Sequence, residues 1–503
     1  MATDTTHLDE RVGAAVGDDA GTGPTTPDHP SVVLRVLPTV VAFVTVFFVF
    51  VASPTTSLSD PFWVPYTAQS LLDDHDLDLA DRGVQVDDDY ALVDNDGQVV
   101  SYFPWTTAAL TVPIVLLHRA IEPSGVVVPL DEQLDAMYPA DFQRFAASLF
   151  AAAAATVLAL VTRRLIRMCR SPDPSGAPET RALGFVSDRP WFVPVCTLVL
   201  GLATSLWSTA SRGLWQHGPG VLLLGGAWLA ALSIGDVDHH RRDRFVTLLS
   251  GGLAGLACGV RPTNAVLALA LGAFLAWRRR DALVPWIIGG LTVVVLGLAA
   301  NVALLGSALP NYFSAGRAGL HPDFVRAVLS DLTSPSRGLL VFSPWLVLAI
   351  VAVLPSRRRL VGTDVSAFAW CALAGAAAAV LAAASYGERW WAGHSYGPRF
   401  LTETLVVLGP LALTVVFGPR PPGRAARITS SVLAPVLIAL SVALHAPGAL
   451  TNVTECWSRT PVDVDERPAR VDDWSDPQFV TGWRTLVDDG PGAGSDACED
   501  RRR

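Results

Sequence analysis

The sequence predicts an all-α polytopic membrane protein, and three observations predict it. The 503 residues are 51% hydrophobic before the 41 glycines are counted, more than soluble domains usually carry. The apolar residues gather in uncharged windows of about 17–22 residues, the length a helix needs to cross a bilayer. In lipid every backbone polar group must be bonded within the structure, so such runs are helices. The polar–apolar alternation of membrane β-strands is missing.

Residues 1–32 are polar, acidic and rich in Gly, Thr, Pro and Asp. Without a basic start and an early apolar core they do not read as a cleavable signal, but as a disordered cytoplasmic tail. Residues 33–446 form the membrane domain, with about eleven spans expected near 33–52, 143–162, 191–210, 218–234, 245–260, 264–277, 284–306, 338–354, 365–385, 400–418 and 428–446. The segment 103–118 reads as an interfacial or re-entrant helix. Five arginine-rich clusters (163–170, 239–244, 278–280, 357–359 and 420–427) punctuate these runs. Short cytoplasmic loops are enriched in basic residues. Putting all five inside leaves the N-terminus cytoplasmic, the C-terminal tail 447–503 extracytoplasmic and the loop 53–142 as a long first outer loop. The protein is then an integral protein of the plasma membrane.

All 37 basic residues are arginine and the net charge is −9. Because the arginines sit in short clusters beside apolar runs, nucleic acid is not an expected partner. No cytoplasmic segment is long enough for a nucleotide-sugar domain. Cys196, Cys258 and Cys371 fall in apolar runs as small hydrophobes. Cys456 and Cys498 fall in the outer tail, where an oxidising environment lets them pair.

With the arginines inside, the remaining polar clusters all face outward. Asp60, in SLSDPFW, follows the first span. Flanked by Pro61, Phe62 and Trp63 it is partly desolvated, which strengthens a carboxylate as a base; the competing reading is a helix cap before Pro61. The following VPYTAQSLLDD reads as an amphipathic helix on the membrane surface. The acidic run 73–82 lacks the spacing and turn glycine of a calcium loop and reads as a solvated face, and no metal is expected elsewhere. In SRGLWQHGP, Trp215 reads as an interface anchor, while His217 stands where a helix turns back and can meet a phosphate or carry a proton. Arg261, in RPTN, tips a helical hairpin, as a headgroup anchor or a ligand group. The stretch 386–401, YGERWWAGHSYGPRFL, is the densest cluster. Arg389, Arg399 and His394 suit phosphate oxygens. Trp390 and Trp391 suit sugar faces, and Glu388 sugar hydroxyls. The competing reading is a belt of interfacial tryptophans with one Glu–Arg pair.

In this order, SLSDPFWVPYTAQSLL, SYFPWTTAALTVPIVLLH, SRGLWQHGP, CGVRPTNAVL and WWAGHSYGPRFL resemble the GT-C class of integral membrane glycosyltransferases. The resemblance is to the family 39 and protein O-mannosyltransferase-like group, over about residues 35–445. Two departures stand: Pro61 replaces the second acid of an Asp-Glu pair, and Ala392 replaces a glycine of the last motif. The resemblance implies a polyprenyl-phosphate-linked sugar as donor and metal-independent inverting transfer to a cell-envelope glycan, lipid or protein. In that reaction Asp60 is the base, and Arg389, Arg399, His394, His217 and Arg261 hold the donor phosphate. Two other classes compete: a transporter or flippase of lipid-linked glycans, and a non-catalytic envelope-assembly protein on the same scaffold.

Overall fold

The computed structural model describes residues 32–169, 186–235, 240–309, 312, 319–387, 389–419 and 423–493. Residues 1–31 of the expected N-terminal tail, Glu388 and Cys498 lie outside them.

The described chain is mostly helical. Five helices are long and apolar enough to cross a membrane: Ala140–Met168, Arg280–Leu305, Gly362–Ala384, Arg399–Phe417 and Arg424–Leu450. Shorter apolar helices cover Val36–Ala52, Phe192–Leu202, His217–Leu232 and Asn264–Arg278. Five is fewer than the eleven spans expected from apolar runs, and part of the difference has local causes. The run 338–354 does not form one helix. Pro344 has no N–H to give and disfavours helical geometry in the residue before it. Ser343 accordingly sits at φ −127°, ψ 61°, between a helical turn at Leu339–Phe342 and a 3-10 turn at Pro344–Val347. The run 191–210 also breaks, at Ala203. Its freed carbonyl accepts the Trp345 indole N–H at 3.0 Å and the Ser343 hydroxyl at 3.3 Å, so each irregular segment satisfies the other.

Burial sorts the spans. Within the apolar window of Arg399–Phe417, 89% is buried, against 6% of that in Arg280–Leu305. The first is the axis of the bundle and the second lies on its outside. The outer helix is held to His240–Val260 by small residues. A Cβ on Gly251 would collide with the Trp286 carbonyl oxygen, one on Gly289 with that of Leu248, and one on Gly255 would lie 2.7 Å from the Gly290 oxygen. Such close backbone approach is how helices associate in lipid, where burial of apolar surface gives no drive.

The first loop is a small subdomain with its own core around Trp63, Tyr66, Leu92, Val115 and Phe142. It also holds a β-hairpin, a departure from the all-α expectation. Strands Leu92–Asn95 and Gln98–Ser101 pair antiparallel around Asp96 (φ 53°) and Gly97 (φ 89°), the two-residue turn that Asp-Gly favours. The helix Val64–Asp73, expected on the membrane surface, is packed into this subdomain. Residues Val64 to Ser70 are all buried, packed on the helix Thr106–Ile121. The acidic run is spent locally: Asp74 pairs with Arg82 and Asp73 with Arg119, while Asp78 accepts the N–H groups of Ala80 and Val99.

Substituting Gly251 by valine is expected to pry the two helices apart and to lower stability by about 1–3 kcal/mol, the usual range for overpacking. Thermal unfolding of the detergent-solubilised protein beside wild type measures it.

Candidate functional site

The segment after the first helix is pinned before it reaches Asp60. Arg212, 1% exposed, spreads its guanidinium over the backbone oxygens of Phe50, Ser53 and Thr55. The Ser57 N–H donates to the Arg212 carbonyl at 2.7 Å, and Gln143 donates to the Pro61 oxygen at 2.6 Å. A side chain at Gly213 would strike the Ser57 carbonyl, so glycine is required there. Asp60 does not cap the next helix. Its Oδ2 accepts from Arg399 Nη1 at 3.1 Å and its Oδ1 from the Tyr90 hydroxyl at 2.6 Å.

Arg399 comes from the other end of the chain. Gly397, at φ 63° and with the Phe342 ring 3.2 Å from where a Cβ would stand, turns the backbone into a 3-10 run, Arg399–Thr404. The guanidinium of Arg399 lies over the Trp215 ring, 4.4 Å from its centroid, and 5.2 Å from that of Phe400. Trp215 is therefore a stacking partner for this cation, buried in the protein.

His217 and Arg261 meet beside this pair on a carboxylate that sequence reasoning missed. Glu403 Oε1 is 3.0 Å from His217 Nδ1, and its Oε2 is 3.0 Å from Arg261 Nη1. All three side chains are buried. A buried charge must be paired and hydrogen-bonded, and this triad meets that requirement.

Asp60, Trp215, Gln216, His217, Arg261, Tyr312, Arg399 and Phe400 are among the residues lining one cleft. Four of its lining side chains carry a buried donor with no hydrogen-bond partner among the described residues: the Thr107 hydroxyl, the Trp215 indole N–H, the Gln216 amide and Arg399 Nε. Each unmade bond costs about 1–3 kcal/mol. Cationic groups, convergent unpaired donors and one carboxylate acceptor suit an anionic ligand that also carries hydroxyl groups.

The rest of 386–399 turns the other way. Arg389 Nη1 pairs with Asp465 at 2.9 Å, Trp391 donates to Asp465 at 2.7 Å, and His394 Nε2 lies 2.8 Å from Asp463. Trp390 and Trp391 are 2% and 8% exposed, packed with Trp457, Val464 and Val471, so neither offers a face to a sugar in this arrangement. Gln478 clamps the loop through the Ser395 carbonyl at 2.9 Å and Arg337 at 2.8 Å. The five residues Arg389, Trp390, Trp391, His394 and Ala392 thus belong to a latch with the C-terminal segment. Ala392 sits there at φ 62°, a conformation glycine adopts without strain. Potential ligand atoms of His394, Asp463 and Asp465 lie within 4.8 Å of one another, but Asp465 is already neutralised by Arg389, which disfavours a cation. Cys456 is disulfide-bonded; Cys498, its expected partner, lies outside the described residues.

No family model matches the chain, and no curated protein matches it. The chain is similar to the crystal structure of the Archaeoglobus fulgidus oligosaccharyltransferase in its apo form, at 13% identity and a TM-score of 0.45. That similarity covers 92% of this chain and 64% of the other, so the chain spans less than two thirds of that neighbour's length.

Two predictions test this arrangement. Glu403→Ala leaves Arg261 buried without its counter-charge and is expected to cost about 3–5 kcal/mol, measured by thermal unfolding, with Glu403→Gln less affected. In the latch, burial works to raise the Asp463 carboxyl, but hydrogen bonds from His394 and the Asp465 N–H outweigh it and hold the group below its usual 3.8. A depressed carboxyl stabilises the fold above its unfolded value and loses that contribution as pH falls through the folded one. Hydrogen exchange in 455–488 is therefore expected to accelerate as pH drops below 3.8, after correction for intrinsic exchange, and to lose part of that dependence in Asp463→Asn.

Proposed function

We propose that the chain is a membrane glycosyltransferase. In this reading it moves a sugar from a polyprenyl-phosphate donor to a cell-envelope acceptor at the outer face of the plasma membrane. The observation that carries the reading is the cleft: Asp60 faces Arg399 at 3.1 Å, Arg261 and His217 stand beside them on Glu403, and four donors wait unpaired. The outward orientation rests on the arginine clusters. The helices His217–Leu232 and Asn264–Arg278 begin at the cleft and run away from it. At their far ends Leu232 accepts from Arg164, and Arg278 pairs with Asp364. Under the positive-inside rule that polarity supports an outward-facing cleft.

The roles follow from charge. Arg399, Arg261 and the unpaired N–H groups bind the donor phosphate, with His217 held towards it by Glu403. An acceptor hydroxyl attacks the anomeric carbon and its proton passes to Asp60. The bond from the anomeric carbon to the phosphate oxygen breaks, and its electron pair leaves on the phosphate. Guanidinium groups already fixed in place stabilise that growing charge. Attack from the face opposite the leaving group inverts the anomeric centre.

Release of free polyprenyl phosphate from a panel of undecaprenyl-phosphate hexoses and pentoses, with crude envelope as acceptor, tests the reading. Wild type is expected to turn over at least one donor. Asp60→Asn is expected to lose about a hundred- to ten-thousand-fold of that rate, the span of a general base, yet to bind donor at least as well because Arg399 is released from its carboxylate. Arg399→Ala is expected to weaken donor binding. Full activity in Asp60→Asn would remove the base from the mechanism.

A further inference from the structure

Both oxygens of Asp60 are engaged in the resting protein. Oδ2 accepts from Arg399 and Oδ1 from the Tyr90 hydroxyl at 2.6 Å. An acceptor that is to hand its proton to this carboxylate has to take the place of one of these two donors. The two are held very differently. Arg399 is 8% exposed and stacked on Trp215 and Phe400, whereas Tyr90 is 64% exposed. The backbone beside Tyr90 is independently fixed: the Leu92 N–H donates to the Asp89 carbonyl, the Ala91 N–H to the Asp89 side chain, and the Tyr102 N–H to the Ala91 carbonyl. The ring can swing about its own side-chain torsions, as exposed side chains do in picoseconds to nanoseconds, with no change in the loop.

We propose that Tyr90 holds the place of the acceptor hydroxyl. This role rests on the glycosyl-transfer reading above. The phenol is itself an O–H group donating to Oδ1, and its oxygen stands at hydrogen-bond distance from the base, where the attacking oxygen must come. Before an acceptor arrives it keeps water from that position, and so keeps the donor from being hydrolysed. When an acceptor hydroxyl enters, it exchanges one O–H donor to the carboxylate for another, and Tyr90 moves out toward solvent. The proton that reaches Oδ1 is then the acceptor's, while the phenol keeps its own. The acceptor therefore approaches from the exposed, Tyr90 side of Asp60, and the donor phosphate lies on the Arg399 side.

Tyr90→Phe removes only the hydroxyl of an exposed ring, so folding is not at stake. Purified wild type and variant are incubated with the undecaprenyl-phosphate sugar panel, with and without crude envelope, and free sugar is counted separately from sugar joined to envelope material. The expected result is release of free sugar by Tyr90→Phe in the absence of acceptor at about ten times the wild-type rate, the equivalent of one hydrogen bond to a charged group. With acceptor present, the partition shifts from transfer towards hydrolysis. If the variant hydrolyses donor no faster than wild type while wild-type transfer still depends on Asp60, the place-holding role is overturned and the transferase reading stands. If wild type consumes no donor on the panel even with envelope present, both fall together.

Discussion

The Asp60–Arg399 ion pair joins residues 339 positions apart, and it ties the two ends of the chain together at the cleft that both partners line. One partner follows the first helix and the other opens the most buried span. The cation is held by aromatic faces and the anion by a phenol, so the pair is desolvated on most sides yet open on one. Charges taken out of water are costly unless paired. Here four donors lining the cleft, Arg399 Nε among them, keep no partner among the described residues, which sets this pair apart from a structural salt bridge. Arg212 and Arg337 show the structural case. Both are buried, but their guanidinium groups are spent on backbone oxygens and on Gln478.

The helices around the cleft divide their polar residues by end. Ala140–Met168 begins beside Pro61 through Gln143 and ends with Arg164 on Leu232 and Arg167 on Asp188. His217–Leu232 and Asn264–Arg278 repeat that polarity. These three helices keep charge at their ends, whereas Glu403 sits one turn inside the apolar run it belongs to.

Much of this was readable in the chain. Asp60, His217, Arg261 and Arg399 are polar residues at the ends of apolar runs, where lipid does not explain them, and all four meet in the cleft. The apolar runs located most of the helices, because a helix in lipid needs little beyond length and hydropathy. Glu403 was missed because one carboxylate within TETLVVLGPLALTVVF looks like a flaw at the edge of a span, and only Arg261 and His217 arriving from elsewhere give it meaning. Tyr90 lies in an acidic loop with no local sign of its reach. The stretch 386–399 was over-read for a related reason. Half of its charge answers Asp463 and Asp465, and nothing local to the stretch says that the chain returns to it. The breaks at Ala203 and Ser343 were hidden inside apolar runs, although Pro344 marked one of them, and the Asp96–Gly97 turn signalled the hairpin that the helical expectation passed over.

The clamp from Gln478 gives the site a place in time as well as in space. Arg399 leaves the ribosome about eighty residues before the glutamine that fastens its loop, an interval of about 4–16 s at ordinary rates of synthesis. When Arg399 emerges, the helices His217–Leu232 and Asn264–Arg278 have already been made, while its own loop still lacks its C-terminal fastening. The newborn chain therefore holds part of its apolar frame before the loop that carries Arg399 is fastened. The loop is thus fastened late in synthesis, by a residue outside the cleft lining.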